Sequence, residues 1–592
     1  MTLGRLFRTA RYLTPEQLLF SIVRRARHSR WARRPAVARA RIGKAAAQLP
    51  RIDPQQPRLQ QIAAQVALLQ RTIHPQPIAE LRAGRLGIFG QDMRIDPTMD
   101  WRCEMGEGNS PLRRLTLAYF GWAVPLLADG KTEDLQRILA ALDRLDDVPW
   151  SEPGVFRDIW NPYTASHRLI NLLTGLHLYG RSGGPADIHL DRILEHVRFC
   201  AALVTADLER DIQANHLLKN WTALAIYAAA TEVPDKAFAG LANGVRRSVA
   251  QLVLVDGGHA ERSPMYHALG LMDVDAIIKS GAVPTLAVEL DDASARLRAA
   301  LSILTHPDGD IALFNDAWLG GAPPPGMLQI QPPGPGRHIL PTTGYTRLDG
   351  GNDVVVFDAG ACALDCQPGH AHADFLSFEL SVARTRFVVD PGTATYTAGP
   401  LRHQVRSAAS HNGPHVVGHE PLELWQSFRV GRRARAGFLQ ECGLSEVTPL
   451  WCAGWQDGYQ GGGVGVRRWL GLWPHQALVI LDLWTGLGAR TGCSRLLIPE
   501  PWQAVTRDGA LSFVASGAVQ VRPILGEIGP VQQAPWWPRY GTEARASAIE
   551  LQPHKNGPVH VAALLIAWGT PPENLSRAML ERLARTLTAA PM

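Results

Sequence analysis

The chain is short of several things that would have named a class at once. Its N-terminal region has no long apolar run: the longest, Leu18 to Val23, is broken by Ser21, against the roughly 20 apolar residues a membrane-spanning helix needs. It also lacks the order of charged, apolar and small-residue regions of a secretory leader, because arginines recur at 5, 8, 11, 24, 25, 27 and 30. Cysteine is scarce, with seven at 103, 200, 362, 366, 442, 452 and 493. An odd, scattered set of this kind excludes a disulfide framework. Cys362 and Cys366 lie close together, but no second pair accompanies them to complete a metal site. No nucleic-acid-binding motif is present, and no strict repeat period runs through the chain.

What is present is a globular composition, 46% hydrophobic and 19% charged over 592 residues, which is long enough for two large domains. The formal charge of +6 is unevenly spread. Residues 1 to 45 hold eleven Arg and one Lys against the single acid Glu16, so the remainder is net negative. A basic arm of this kind suits an acidic surface such as anionic lipid or an acidic polymer, and the body gives no reason to expect nucleic acid. Thr14, Pro15 and Gln17 read as an N-cap, a helix-first proline and the partner of a capping box. They open a basic helix whose polar face meets either solvent or, peripherally, a membrane surface.

From about residue 60 to 310, stretches with apolar positions at helical spacing alternate with short Gly, Pro or Asp breaks. Examples are SHRLINLLTGLHLYG and NHLLKNWTALAIYAAA. Consecutive helices on short connections predict antiparallel hairpins packed side by side. The Pro- and Gly-rich run GGAPPPGMLQIQPPGPGRH then breaks the pattern. Beyond it, short β-rich segments such as DVVVFDAG, LGLWPHQALVILDLW and HVAALLIAW predict antiparallel sheets, and ENLSRAMLERLARTLTAA predicts a terminal helix. The expected organisation is a basic arm over 1–50, a helical domain over 51–335 and a β-sandwich over 336–592.

The densest chemistry lies in PGHAHADFLSFELSVARTRFVVDPGTATY and, after it, VRSAASHNG. His370 and His372 stand two apart, on one face of an extended segment. One of them, with Asp390 and His411, completes a two-His, one-carboxylate set of mixed nitrogen and oxygen donors suited to Zn²⁺, while the other faces the cleft. Three motifs occur in order: Gly369 to Asp374 as GHxHAD, Val389 to Gly392 as VDPG, and Arg406 to Asn412 as RSxxxHN. In these the chain resembles the heparinase II/III-like polysaccharide lyases. The resemblance implies an α+β multidomain fold, an incomplete (α/α) toroid of helical hairpins followed by an antiparallel β-sandwich.

It further implies β-elimination on a uronic-acid-containing polysaccharide. His372, Asp390 and His411 match the ligands of the zinc-containing members, where the metal is structural. Asn215 and His216 match the pair that neutralises the uronate carboxylate. Tyr266 matches the acid or base, and His370 is placed as a further catalytic group. Asn161, Tyr163 and Arg168 in WNPYTASHRLINLL, together with Tyr396, are expected to bind substrate. The run after RSxxxHN, here GPHVVGHEPLE, departs from the family's usual TVVVDG-like continuation and leaves the polymer open. The resemblance points to the cell envelope or periplasm, whereas the missing leader pattern leaves the cytoplasm and the inner-membrane surface open. Two other readings stand beside the lyase: a non-catalytic polysaccharide-binding or assembly protein, and a hydrolase with Glu261 and Asp273 as paired carboxylates.

Overall fold

The computed structural model describes residues 3–95, 101, 112–185, 189–440, 449–507, 510–573 and 575–590. Three helices form the arm: Leu3–Ala10, Pro15–Arg33 and Pro35–Gln48. The second opens on the expected capping box. The Thr14 hydroxyl accepts from Gln17 N, and the Gln17 amide oxygen accepts from Thr14 N at 2.9 Å. Among the described residues no helix is long and apolar enough to cross a membrane.

The helical domain is built from hairpins. Pro162–Arg181 packs against His189–Ala206 and Ala214–Ala229, the last of these against Leu241–Leu252 and Pro264–Ser280, and Pro264–Ser280 against Ala287–Ile303. These helices are buried on most sides. Ala214–Ala229, for example, keeps Trp221 to Ala229 inside without a break, as a helix walled in by neighbours on several sides must be.

The sandwich begins with the strand Gly336–Leu340, the edge of a five-stranded antiparallel meander that runs on to Thr385–Val388. A nine-stranded antiparallel sheet carries Gly465–Trp473 and Ala477–Thr485 near its middle, and a second five-stranded sheet is built around Gly492–Pro499 and Thr542–Gln552. The strand ALVILDLWT is buried almost throughout because both of its faces are covered. Leu478, Ile480 and Trp484 enter the sandwich core, while Val479, Leu481 and Leu483 pack with Leu580, Leu583 and Leu587 of the terminal helix Arg577–Ala589. Asp482 interrupts the apolar series on the core side. It is held by Arg468 at 2.6 and 2.7 Å and by the Ser494 hydroxyl, so that its buried charge is paired.

Candidate active site

The helical domain and the sandwich meet where Tyr266 and His370 stack, their ring centroids 4.0 Å apart. Tyr266 is set by its helix start. Ser263 caps Pro264–Ser280 by accepting from Tyr266 N, with Pro264 in the first turn. The Tyr266 hydroxyl lies 3.2 Å from that of Tyr396, which follows the VDPG element. His370 is held from both sides: its Nδ1 is 3.0 Å from Asp316, and its Nε2 is 3.9 Å from Glu261 Oε2. Glu261 in turn accepts from the backbone N–H of Asn215 through Oε1. Asn215, Glu261, His370, Tyr266 and Tyr396 therefore form one connected group drawn from both domains.

His216 stacks on Tyr163 at 4.1 Å, and its Nδ1 lies 3.2 Å from the buried carboxylate of Glu209. Glu209 is fixed in turn by the Asn220 amide at 3.1 Å. The aromatic surface continues through His167, 4.8 Å from Tyr163 and stacked at 4.3 Å on Tyr119. His216, Tyr163, His167 and Tyr119 are all partly exposed, making a wall of flat rings open to solvent.

Burial sets the protonation states here. It pushes the phenols of Tyr266 and Tyr396 well above their ordinary value and raises the carboxyl of Glu261. Asp316 is shifted the other way, held well below the usual carboxylate range. Its burial is outweighed by Arg402, which grips both oxygens at 2.5 and 2.7 Å, and by His370 and His372.

Backbone strain marks the same places. Gln213 and Ala214 immediately before Asn215, Arg262 before the Tyr266 helix, and Asn315 before Asp316 are non-glycine residues with φ of 62°, 49°, 55° and 58°. Such turns cost free energy and persist where the surroundings over-determine them. Asn315 supplies part of that restraint: it accepts from His372 N, donates to Arg262 O, and its N–H reaches Asp374.

Two expected substrate-binding residues have other work. Asn161 is the N-cap of Pro162–Arg181, accepting from Thr164 N and donating to Arg157 O and Asp158 O. Arg168 is fully buried, donates to Ala118 O and Ile159 O, and lies over the Trp160 ring. Both side chains are buried and engaged in these local contacts, so both are corrected to structural roles. Tyr163 and Tyr396 remain at the site. Glu261 and Asp273 do not pair as hydrolytic acids: Asp273 is tied to Lys219 in a buried ion pair, whereas Glu261 faces His370.

The expected metal ligands lie together, with one further carboxylate beside them. Asp374, Asp390 and His411 offer ligand atoms within 4.8 Å of one another. His372 stands beside them, its ring 5.3 Å from that of His411, but its Nε2 lies 2.9 Å from Asp316. Asp316, fixed by Arg402, orients the imidazole through Nε2 and leaves Nδ1 free, and Asp374 adds a carboxylate beside the expected ligands. The residues suit a cation: His411 Nε2 and His372 Nδ1 are buried without a partner, and burial and like charge raise both Asp374 and Asp390. Cys362 and Cys366 are free and join no such cluster among the described residues. Cys103 and Cys442 lie outside the described residues.

Asp316, Arg402, Glu209 and Asp374 escaped the sequence reading. Asp374 was within sight, as the last residue of GHxHAD. The other three show only as single charged residues, with partners 54 to 86 residues away for Asp316.

Comparison with known proteins agrees with this architecture. Residues 332–563 match the family model described as Heparinase II/III-like, C-terminal. A heparinase III structure superposes with a TM-score of 0.63 at 15% identity, covering 89% of this chain and 86% of that one. A mutant of heparan sulfate lyase HepC from Pedobacter heparinus gives 0.55 at 14%, covering 90% and 88%. A stretch of 165 residues is 30% identical to FtsZ-localized protein C of Caulobacter vibrioides, a match covering 27% of this chain and 28% of that protein's length. Residues 332–563 are thus similar to the Heparinase II/III-like C-terminal family, and over most of its length the chain shares the fold of the heparinase III structure.

Proposed function

We propose that the protein is a polysaccharide lyase that cleaves a uronic-acid-containing acidic polysaccharide by β-elimination between its two domains. The observation that carries this reading is the Tyr266–His370 stack, one ring from each domain, with Tyr396 at 3.2 Å from the phenol. The difficult step is loss of the weakly acidic proton at C5 of the uronate. As that proton leaves, the electron pair forms the C4–C5 double bond and the C4–O4 bond breaks.

The roles follow from the environments. Glu209 orients His216 through Nδ1, which leaves Nε2 to accept the C5 proton as general base. The phenol of Tyr266, kept protonated by its burial, donates to the departing O4. The Asn215 side chain and His370 donate hydrogen bonds to the uronate carboxylate and stabilise the charge that develops there, a kind of contact worth about 3 kcal/mol per well-placed donor. The rings of Tyr163, His167 and Tyr119 present flat faces to the sugars. On the same reading His372, Asp390 and His411, with Asp374 beside them, would hold a structural Zn²⁺, which when bound would secure the part of the sandwich that carries His370.

The test is ultraviolet absorbance of the unsaturated product during incubation with alginate, heparan sulfate, hyaluronan and glucuronan. A rise with one polymer that disappears in Tyr266→Phe supports the lyase and names its substrate class. Reducing ends without the absorbance would indicate hydrolysis instead. A second reading, non-catalytic polysaccharide binding, draws on the burial of Tyr266 and Tyr396 and on the hydrogen bond between their hydroxyls. It predicts binding to a polymer with no product of either kind.

A further inference from the structure

The helix Pro15–Arg33 is docked with its polarity reversed. Its inward face is charged. Arg24, 5% exposed, reaches Asp207 and Asp211, while Arg27 and His28 also meet Asp207, at 2.6 and 2.7 Å. Gln17 adds a hydrogen bond to Cys366 O. The outward face is apolar at its N-terminal end. Leu18, Leu19 and Ile22, spaced to share one side of a helix, are 44%, 58% and 68% exposed. The preceding helix, Leu3–Ala10, adds Phe7 at 73% and is pinned by Arg5 and Arg8 to Glu423.

The exposed cations adjoin this apolar surface. Arg25, Arg30, Arg33 and Arg34 are exposed and make no ion pair among the described residues, and Arg41 and Lys44 extend the basic surface along the next helix. The arginines that anchor the helix are thus spent on buried acids, and a second set is left facing out. A cluster of large exposed apolar side chains beside these arginines is costly to leave in water.

We propose that this outward face is a membrane-docking surface whose occupant is a leaflet rich in anionic lipid. Charge complementarity selects that occupant. The interface of such a leaflet offers acyl chains for Phe7, Leu18, Leu19 and Ile22 and anionic headgroups for Arg25, Arg30, Arg33 and Arg34. The two helices lie on the surface and do not enter it deeply, since neither spans a bilayer. The inference does not depend on the lyase reading.

The experiment is flotation of the full chain with vesicles of phosphatidylcholine alone or mixed in equal parts with phosphatidylglycerol. The parent protein floats with the mixed vesicles and not with the neutral ones. The triple variant Leu18→Ser, Leu19→Ser, Ile22→Ser loses about ten-fold or more in affinity. Arg30→Glu, Arg33→Glu, Arg34→Glu loses about five-fold or more per position. Both variants keep the parent's melting temperature, because the altered side chains are exposed. Failure of the parent to float with anionic vesicles would overturn the proposal. So would undiminished binding by the serine variant, which would reduce the contact to charge alone, or conversion of a parental dimer to monomer by that variant, which would make a second copy the occupant.

Discussion

Arg402 is the side chain on which most of the site's geometry hangs. It is fully buried, holds both oxygens of Asp316, lies over the rings of Tyr396 and Phe428, and donates to Ser427 O. Asp316 then fixes His370 and His372. Arg402→Met leaves that carboxylate buried beside two imidazoles only, and a broken buried pair costs about 3–5 kcal/mol. The expected outcome is a clear fall in the urea midpoint together with loss of activity. A midpoint within error of the parent would show that the pair contributes nothing to the fold. Glu209→Gln tests a different residue-scale claim. The amide keeps the shape and the contacts with Asn220 but removes the charge behind His216, so kcat should fall by about 10² or more while KM changes little. Equal loss in KM would place Glu209 in substrate binding.

At the scale of the element, the Pro15–Arg33 helix behaves as a brace on the helical domain. Arg24→Met removes the most buried of the three basic side chains that contact Asp207, which is itself fully buried. Because Arg27 and His28 remain, the cost should stay below the roughly 3 kcal/mol of a fully broken pair, read as a lowered melting temperature. No change would mean that the helix is held by packing alone. The start of this helix was legible from Thr14, Pro15 and Gln17, since a capping box is a local device. Its orientation was not legible: a face rich in arginine is expected to point outward, and only the acids at 207 and 211, nearly two hundred residues away, turn it inward. The same locality explains the misreading of Asn161 and Arg168. Capping and burial in a helix interior use the residue types that bind substrate, and which use prevails depends on neighbours such as Ala118 and Ile159. The motifs at 369–374, 389–392 and 406–412 were readable because each gathers several polar residues within a few positions. Asp316 and Arg402 bind that region from outside those runs.

For the whole molecule, the order of helices before strands follows from the change of hydrophobic period and from the Pro- and Gly-rich stretch before Gly336, but its acid stability follows from what the packed core encloses. His74, His267 and His415 are buried, and desolvation pushes each down to about 4. In the unfolded chain they titrate near the ordinary value of about 6.5. Between those values the unfolded state binds protons that the folded state refuses, so stability is full above about pH 6.5, falls as pH drops through the window, and levels below about 4. Buried carboxyls such as Glu261, raised by desolvation, act with the opposite sign, so the histidine contribution is best isolated by difference. His267 lies 2.8 Å from Leu297 O through Nε2, and His267→Gln retains a donor there while removing the titration. Between pH 6.5 and 4 the variant should lose less stability than the parent, by an amount on the order of 3 kcal/mol. Parallel curves of urea midpoint against pH for the two proteins would show that His267 is protonated as readily in the folded state as in the unfolded one, and that burial at this position is not what shapes the acid limb.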